Sequence, residues 1–145
     1  MASTIQIVYA KNPGELTNRR SALGSYIFTL AGLLSQAGHR VRLNDFYYQD
    51  LIDRLDKDES QTSPSSRSLP LPLPKKLKAI ARDILLFRNH RGLLDKLKIL
   101  PKADSILEFY TYGSDVGLKL SRLSGVDLHL VYDGPVVEEY EIFQD

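Results

Sequence analysis

The sequence predicts an α/β domain with a mainly parallel sheet, and three observations predict it. The β-rich run Ile5-Gln6-Ile7-Val8-Tyr9 is followed by a glycine-bearing loop, an amphipathic helix and a second short strand, which together make a βαβ unit. From Ser105 onward the order strand, glycine-bearing loop, helix, strand recurs. Between the two units, Lys75 to Leu100 carries apolar residues at helical spacing, as an α/β chain requires.

The first helix reads from Ser21 to Ala37. Leu23, Ile27, Leu30, Leu34 and Ala37 recur at spacings of three and four and form one apolar face. Gly38 follows the last of them and supplies the stop, because glycine accepts the left-handed conformation at a helix end. His39-Arg40-Val41-Arg42-Leu43 then begins a strand. The loop before the helix, Ala10 to Arg20, holds Asn12-Pro13-Gly14 as its turn signal and carries Lys11, Arg19 and Arg20. Ligands of open α/β sheets bind outside the carboxyl ends of strands, where this loop begins. Two arginines beside a glycine-bearing helix N-terminus suit a phosphate or another anion, and a solvated surface loop is the plain alternative.

Asn44 to Glu59 is acidic, and Phe46, Leu51, Ile52 and Leu55 fit a short helix against the sheet. Asp50, Asp53 and Asp56 share a helical spacing that reads as a solvated face rather than a metal site, since hard cations draw ligands from tight loops. Residues 60–74 (SQTSPSSRSLPLPLP) form a Ser/Pro-rich insert, expected to be an extended connector within a single domain spanning 1–145.

Along Lys75 to Leu100, the residues Leu77, Ile80, Ala81, Ile84, Phe87, Leu94 and Leu97 fall on one helical face, which is expected to pack on the sheet. Eight basic residues against two acidic ones give this segment a local charge of +6. A basic amphipathic helix over 75–98 also suits peripheral contact with an anionic membrane surface. The next strand is Ser105 to Tyr110. A helix carries Val116, Leu118, Leu120 and Leu123 and ends at Ser124-Gly125, and a strand is expected over Val126 to Tyr132 before the sharp turn Asp133-Gly134-Pro135.

The 145 residues are enough for one domain with a real core. A net charge of +1 gives no global reason to expect nucleic acid as a partner. The chain has no cysteine, which excludes disulfides, zinc–thiolate sites and thiol chemistry. No signal peptide or apolar run near 18 residues is evident, so a cytoplasmic protein is the expectation. His39, His90 and His129 lack metal-ligand spacing. A serine elbow, a Walker A pattern and a full G-x-G-x-x-G are absent, leaving hydrolase, P-loop and dehydrogenase readings without support.

Asp133 follows a strand end and precedes Gly-Pro, where its carboxylate can accept a hydroxyl hydrogen bond or act as a base; it can equally be a turn aspartate bonding its own backbone. Glu108 lies within a strand, and if buried it needs a partner, for which an arginine of the first loop would serve. Tyr9, Tyr26, Tyr110, Tyr112 and Tyr132 all fall at strand ends or helix starts, where rings suit stacking on sugars or bases, or core packing.

Two stretches resemble the family 4 glycosyltransferases, whose GT-B fold has two halves. Ala22-Leu23-Gly24-Ser25-Tyr26, then Leu30 and Leu34, then Gly38-His39-Arg40-Val41 is similar to the family's first helix and G-H-x-V run. Pro101-Lys102-Ala103-Asp104, Glu108, Gly113, Leu123-Ser124-Gly125-Val126, Asp133-Gly134-Pro135 and Glu138-Glu139 resemble its second βαβ unit. Departures are Ala22 for glycine, Ser25 for arginine, Asp127 for proline, and Asp133 where relatives place histidine or asparagine. The resemblance implies the N-terminal, acceptor-side half of a three-layer Rossmann-like GT-B enzyme. Such an enzyme would move a hexosyl group from a nucleotide sugar to a glycan or lipid-linked acceptor with retention, without metal or cofactor. The implied catalytic residue is Asp133. The implied substrate and donor-phosphate residues are Gly14, Arg19, Arg20, Gly24, Ser25, Tyr26, Glu108, Tyr110 and Gly134. With the donor-binding half lying beyond Asp145, the chain alone is expected to be inactive. A non-catalytic binding or membrane-adaptor module, or a free nucleotide-binding Rossmann-like domain, are the rival expectations.

Overall fold

A computed structural model describes residues 2–10, 22–58, 74–111 and 113–132. The elements run β1 (Thr4–Tyr9), α1 (Ala22–Gln36), β2 (Arg40–Leu43), β3 (Phe46–Tyr47), α2 (Tyr48–Asp58), α3 (Lys75–Lys98), β4 (Ser105–Phe109), α4 (Val116–Ser124) and β5 (Leu128–Val131). They make one five-stranded sheet in the order β3-β2-β1-β4-β5, parallel except for the edge strand β3. This is an α/β fold compatible with a Rossmann-like arrangement.

Both faces of the sheet are covered, as a parallel sheet demands. Strand alternation sends Ile7, Tyr9, Val41, Leu43 and Phe109 to one face, where Ile27, Phe28 and Ala31 of α1 and Leu51 of α2 bury them. It sends Val8, Ala10 and Ile106 to the other, against Leu93 and Leu97 of α3 and Val116 and Leu120 of α4. The result is three layers. α1 ends where the sequence predicts: Gly38 has φ +92°, a left-handed value that costs glycine nothing, and His39 N–H donates to the Leu34 carbonyl at 3.1 Å.

The structure corrects three expectations. Phe46 belongs to no helix; Asn44 adopts φ +49° and reverses the chain into β3, so helix α2 begins only at Tyr48. Asparagine tolerates this region better than other non-glycine residues. The Asn44 side chain then acts as an extra peptide unit, its Oδ1 accepting from Tyr9 N–H (2.8 Å) and its Nδ2 donating to the Tyr9 carbonyl (2.9 Å). The last strand is shorter than expected, because Val126 is drawn into the core beneath α3 and α4 and pairing begins at Leu128.

The third correction concerns α3. Its expected face does not pack as a whole. Leu93 and Leu97 are buried and Leu94 is half-buried, but Leu77, Ile80, Ile84 and Phe87 are exposed, Phe87 to 67%. The reason is length. Twenty-four helical residues span about 36 Å, whereas a strand of five spans only about 17 Å, so the N-terminal half of α3 overhangs the sheet.

Candidate ligand-binding crevice

The chain leaves β1 through α1 to reach β2 on one side, and reaches β4 on β1's other side. The topological switch point therefore lies between β1 and β4, and the crevice outside their carboxyl ends is where such sheets take ligands. The residues that meet there come from the ends of β1, β4 and β5 and from the first turns of α1.

On α1, Gly24 is buried while Ser25 and Tyr26 are exposed. The Tyr26 ring sets its edge on Phe109, with centroids 5.8 Å apart. Tyr110 N–H donates to the Val131 carbonyl at 2.9 Å, extending the parallel ladder by one residue and bringing Tyr110 beside Tyr132. Their rings lie 5.6 Å apart at a tilt of 54°, and both remain exposed. Ring faces at the mouth of a crevice offer apolar, weakly negative platforms for the C–H faces of a sugar or the plane of a base.

Glu108 lies one layer beneath. It is 3% exposed, and its Oε1 accepts from Gly117 N–H (3.2 Å) and from Ser114 Oγ (3.1 Å). Among the described residues these two donors are its partners, and they put the carboxylate at the positive end of α4; the arginines of the first loop lie outside the described residues. Burial pushes the Glu108 carboxyl above its ordinary range, the hydrogen bonds from Gly117 and Ser114 oppose that rise, and the nearby Asp115 charge adds to it. Gly117 is required by contact: a Cβ there would press on the Glu108 carboxyl group, 2.8 Å from its Cδ. Glu108 thereby ties the loop that carries Thr111, Gly113 and Ser114 to the body of the domain.

His90 of α3 comes to the same end of the sheet. Burial lowers its pKa below the ordinary value, while the Asp115 carboxylate and the carbonyls of Gly113 and Ala10 act in the opposite direction. Its Nε2 is buried and has no hydrogen-bond partner among the described residues.

Of the residues predicted from sequence, Gly24, Ser25, Tyr26 and Tyr110 are brought to this edge, and Glu108 supports it from below. Gly14, Arg19, Arg20, Asp133 and Gly134 lie outside the described residues, as do residues 60–73 of the insert at 60–74. His90, Ser114 and Gly117 were missed as a group. Ser114 precedes Asp115, the N-cap of α4, and no local pattern announces its partner, Glu108, which is supplied by tertiary structure.

Two cavities lie away from these tyrosines. One of about 380 Å³ is lined by His39, Arg40, Tyr47 and Tyr48, and one of about 430 Å³ lies between α3 and α4 beside His90 and Asp115. Among the described residues, no group of three or more His, Asp or Glu side chains is placed to hold a metal ion, and no helix is long and apolar enough to cross a membrane. No family model, curated protein or solved structure matches this chain.

Proposed function

We propose that the chain is the acceptor-side half of a retaining, nucleotide-sugar-dependent glycosyltransferase with GT-B organisation, acting on a glycan or lipid-linked acceptor. The observation that carries this reading is the exposed Tyr110–Tyr132 pair at the carboxyl ends of β4 and β5, the end of the sheet from which α1 also starts. The two rings would hold the acceptor sugar by stacking. The N-terminus of α1, with Gly24 allowing close approach and Ser25 exposed, would meet the donor's diphosphate through backbone N–H groups. In the transfer, the acceptor hydroxyl oxygen forms the new bond to the sugar's anomeric carbon, the bond to the diphosphate breaks, and the nucleoside diphosphate leaves with that electron pair and takes up the hydroxyl's proton. Most donor contacts come from the second half, so the 145 residues alone bind without turning over.

A glycan array probed with the chain tests this. Retention of hexose-bearing glycans, reduced about fivefold by Tyr110→Ala or Tyr132→Ala, is expected from the loss of about 1 kcal/mol of stacking per ring. Retention that both alanine variants keep, or turnover of a labelled nucleotide sugar by the chain alone, would count against the reading.

One observation favours a second reading, a membrane-adaptor module. The overhanging half of α3 exposes Leu77, Ile80, Ile84, Leu85 and Phe87, flanked by Lys76, Lys78, Arg82 and Arg88. Sedimentation with anionic but not neutral liposomes, lost on reversing those four charges, would favour it.

A further inference from the structure

Arg42 is the most anomalous side chain of the described residues. It lies on β2, between Gln6 of β1 and Tyr47 of β3, and is 3% exposed. Its Nε and Nη1 are buried and have no hydrogen-bond partner among the described residues. A guanidinium is a permanent cation with five donors, and burying one without an anion is among the costliest arrangements in a protein interior. The neighbouring polar side chain does not relieve it: Gln6 Nε2 is itself a donor, directed to the carbonyls of Ile7 and Asn44.

Arg42 lines a cavity of about 290 Å³ on the α3–α4 side of the sheet. The cavity opens at the pole opposite the tyrosine crevice, where Pro101–Ala103 lead into β4 and where α3 and α4 end. Among the described residues three cations line it, Arg42, Lys98 and Lys102, and no Asp or Glu does. Lys98 holds Asp95 at 2.6 Å outside the lining, and Asp104 is engaged by Thr4 N–H. The remaining wall is largely apolar, with Leu97, Leu100, Ile106, Leu120 and Leu123. Ser124 adds no free donor, since its hydroxyl already donates to the Leu120 carbonyl at 2.7 Å.

We infer that this cavity is a binding site for a small amphiphilic carboxylate, its head group on Arg42 and its apolar body among the leucines. The planar guanidinium fork matches a carboxylate in two parallel hydrogen bonds, which a lysine cannot reproduce; because Nε and Nη1 are enclosed in the ligand-free chain, binding turns the guanidinium toward the cavity. The volume lies at the lower limit for ligand pockets and admits a short chain rather than a folded segment of a partner. The partial negative charge at the carboxyl ends of α3 and α4 disfavours a diffusely held anion, so direct contact with the guanidinium is what secures the ligand. The site is separate from the tyrosine crevice and does not depend on what binds there.

The test uses the 145-residue chain with octanoate as the probe, octan-1-ol as the neutral analogue and inorganic phosphate as the anion without an apolar body. Calorimetry and thermal denaturation read binding, and NMR shifts on the unaltered chain locate it. The expected result is saturable binding of octanoate with a midpoint below about 1 mM and a rise in Tm of about 3 °C at saturation. Shifts should centre on Ala103, Leu120, Leu123 and Ser124. Arg42→Met should weaken octanoate at least tenfold, and the ligand-free variant should melt no lower than the parent, because it removes an unpaired buried charge. The inference is overturned if octan-1-ol binds as tightly as octanoate, if phosphate competes equally, or if the shifts fall elsewhere. It is also overturned if Arg42→Met retains binding, or if octanoate produces no shift at all.

Discussion

Gly117→Ala puts the support of the crevice to a direct test. Alanine is the better helix former, so a helix-propensity view predicts a gain of about 1 kcal/mol. The structure predicts a loss. The new methyl would sit 2.8 Å from Glu108 Cδ and 3.0 Å from its Cβ, and Glu108 is buried within β4 and held by hydrogen bonds that any withdrawal of its carboxylate would break. Relieving the clash costs about 1–3 kcal/mol of overpacking. Displacing the carboxylate from Gly117 N–H and Ser114 Oγ leaves a buried acceptor under-bonded, at about 1–3 kcal/mol. Set against the helical gain, the net loss is about 3 kcal/mol, which for a chain of this size lowers Tm by about 9 °C. Thermal and urea denaturation followed by circular dichroism would measure it. Adding Glu108→Ala removes the obstruction, so the double variant should lose at least about 1 kcal/mol less than the sum of the singles. A Gly117→Ala chain as stable as the parent, or strict additivity in the cycle, would refute the account of Glu108.

Further consequences can be checked on the same chain. Asn44→Ala removes both bonds to the Tyr9 backbone and leaves alanine at φ +49°, and urea denaturation should show a loss of about 3 kcal/mol. Because Glu108 is raised above 4.5, its contribution is fully present below that unfolded value and is lost as pH rises through the folded one; the parent-minus-Glu108→Gln stability difference should therefore fall as pH rises above 4.5. His90 behaves oppositely. Lowered beneath 6.5, it contributes fully above that value, so the parent-minus-His90→Gln difference should fall as pH drops below 6.5. Replacing both Ile84 and Phe87 with lysine on the overhanging half of α3 should change stability by less than about 1 kcal/mol; a loss above about 2 kcal/mol would mean that this face is covered.

Much of the fold was legible because local chemistry and tertiary structure agree. The apolar face of α1, the stop at Gly38 and the β-rich runs of β1 and β4 need no knowledge of distant residues. The failures occur where distant residues decide. Strand β3 exists because Asn44 clamps Tyr9, thirty-five positions away, and no periodicity in Phe46–Tyr47 announces it. Periodicity marked the apolar face of α3 but could not say how much of it the short strands would cover. Glu108 was rightly singled out as a carboxylate needing a partner. Its donors, however, come from the register of α4 on β4, set by packing. Arg42 carried no sequence signal, because an unpaired guanidinium is recognised only once its surroundings are known.

The central claim is that the switch-point crevice takes a nucleotide sugar and a sugar acceptor. The most direct measurement is an NMR titration of the isotopically labelled chain with a nucleoside diphosphate hexose, a method suited to the weak affinity expected of one half of the site. The account predicts saturable shifts at the amides of Gly24, Ser25 and Tyr26, with the rings of Tyr110 and Tyr132 shifting when a hexose-bearing glycan is added as acceptor. Shifts confined to other surfaces, or none at millimolar ligand, would contradict it.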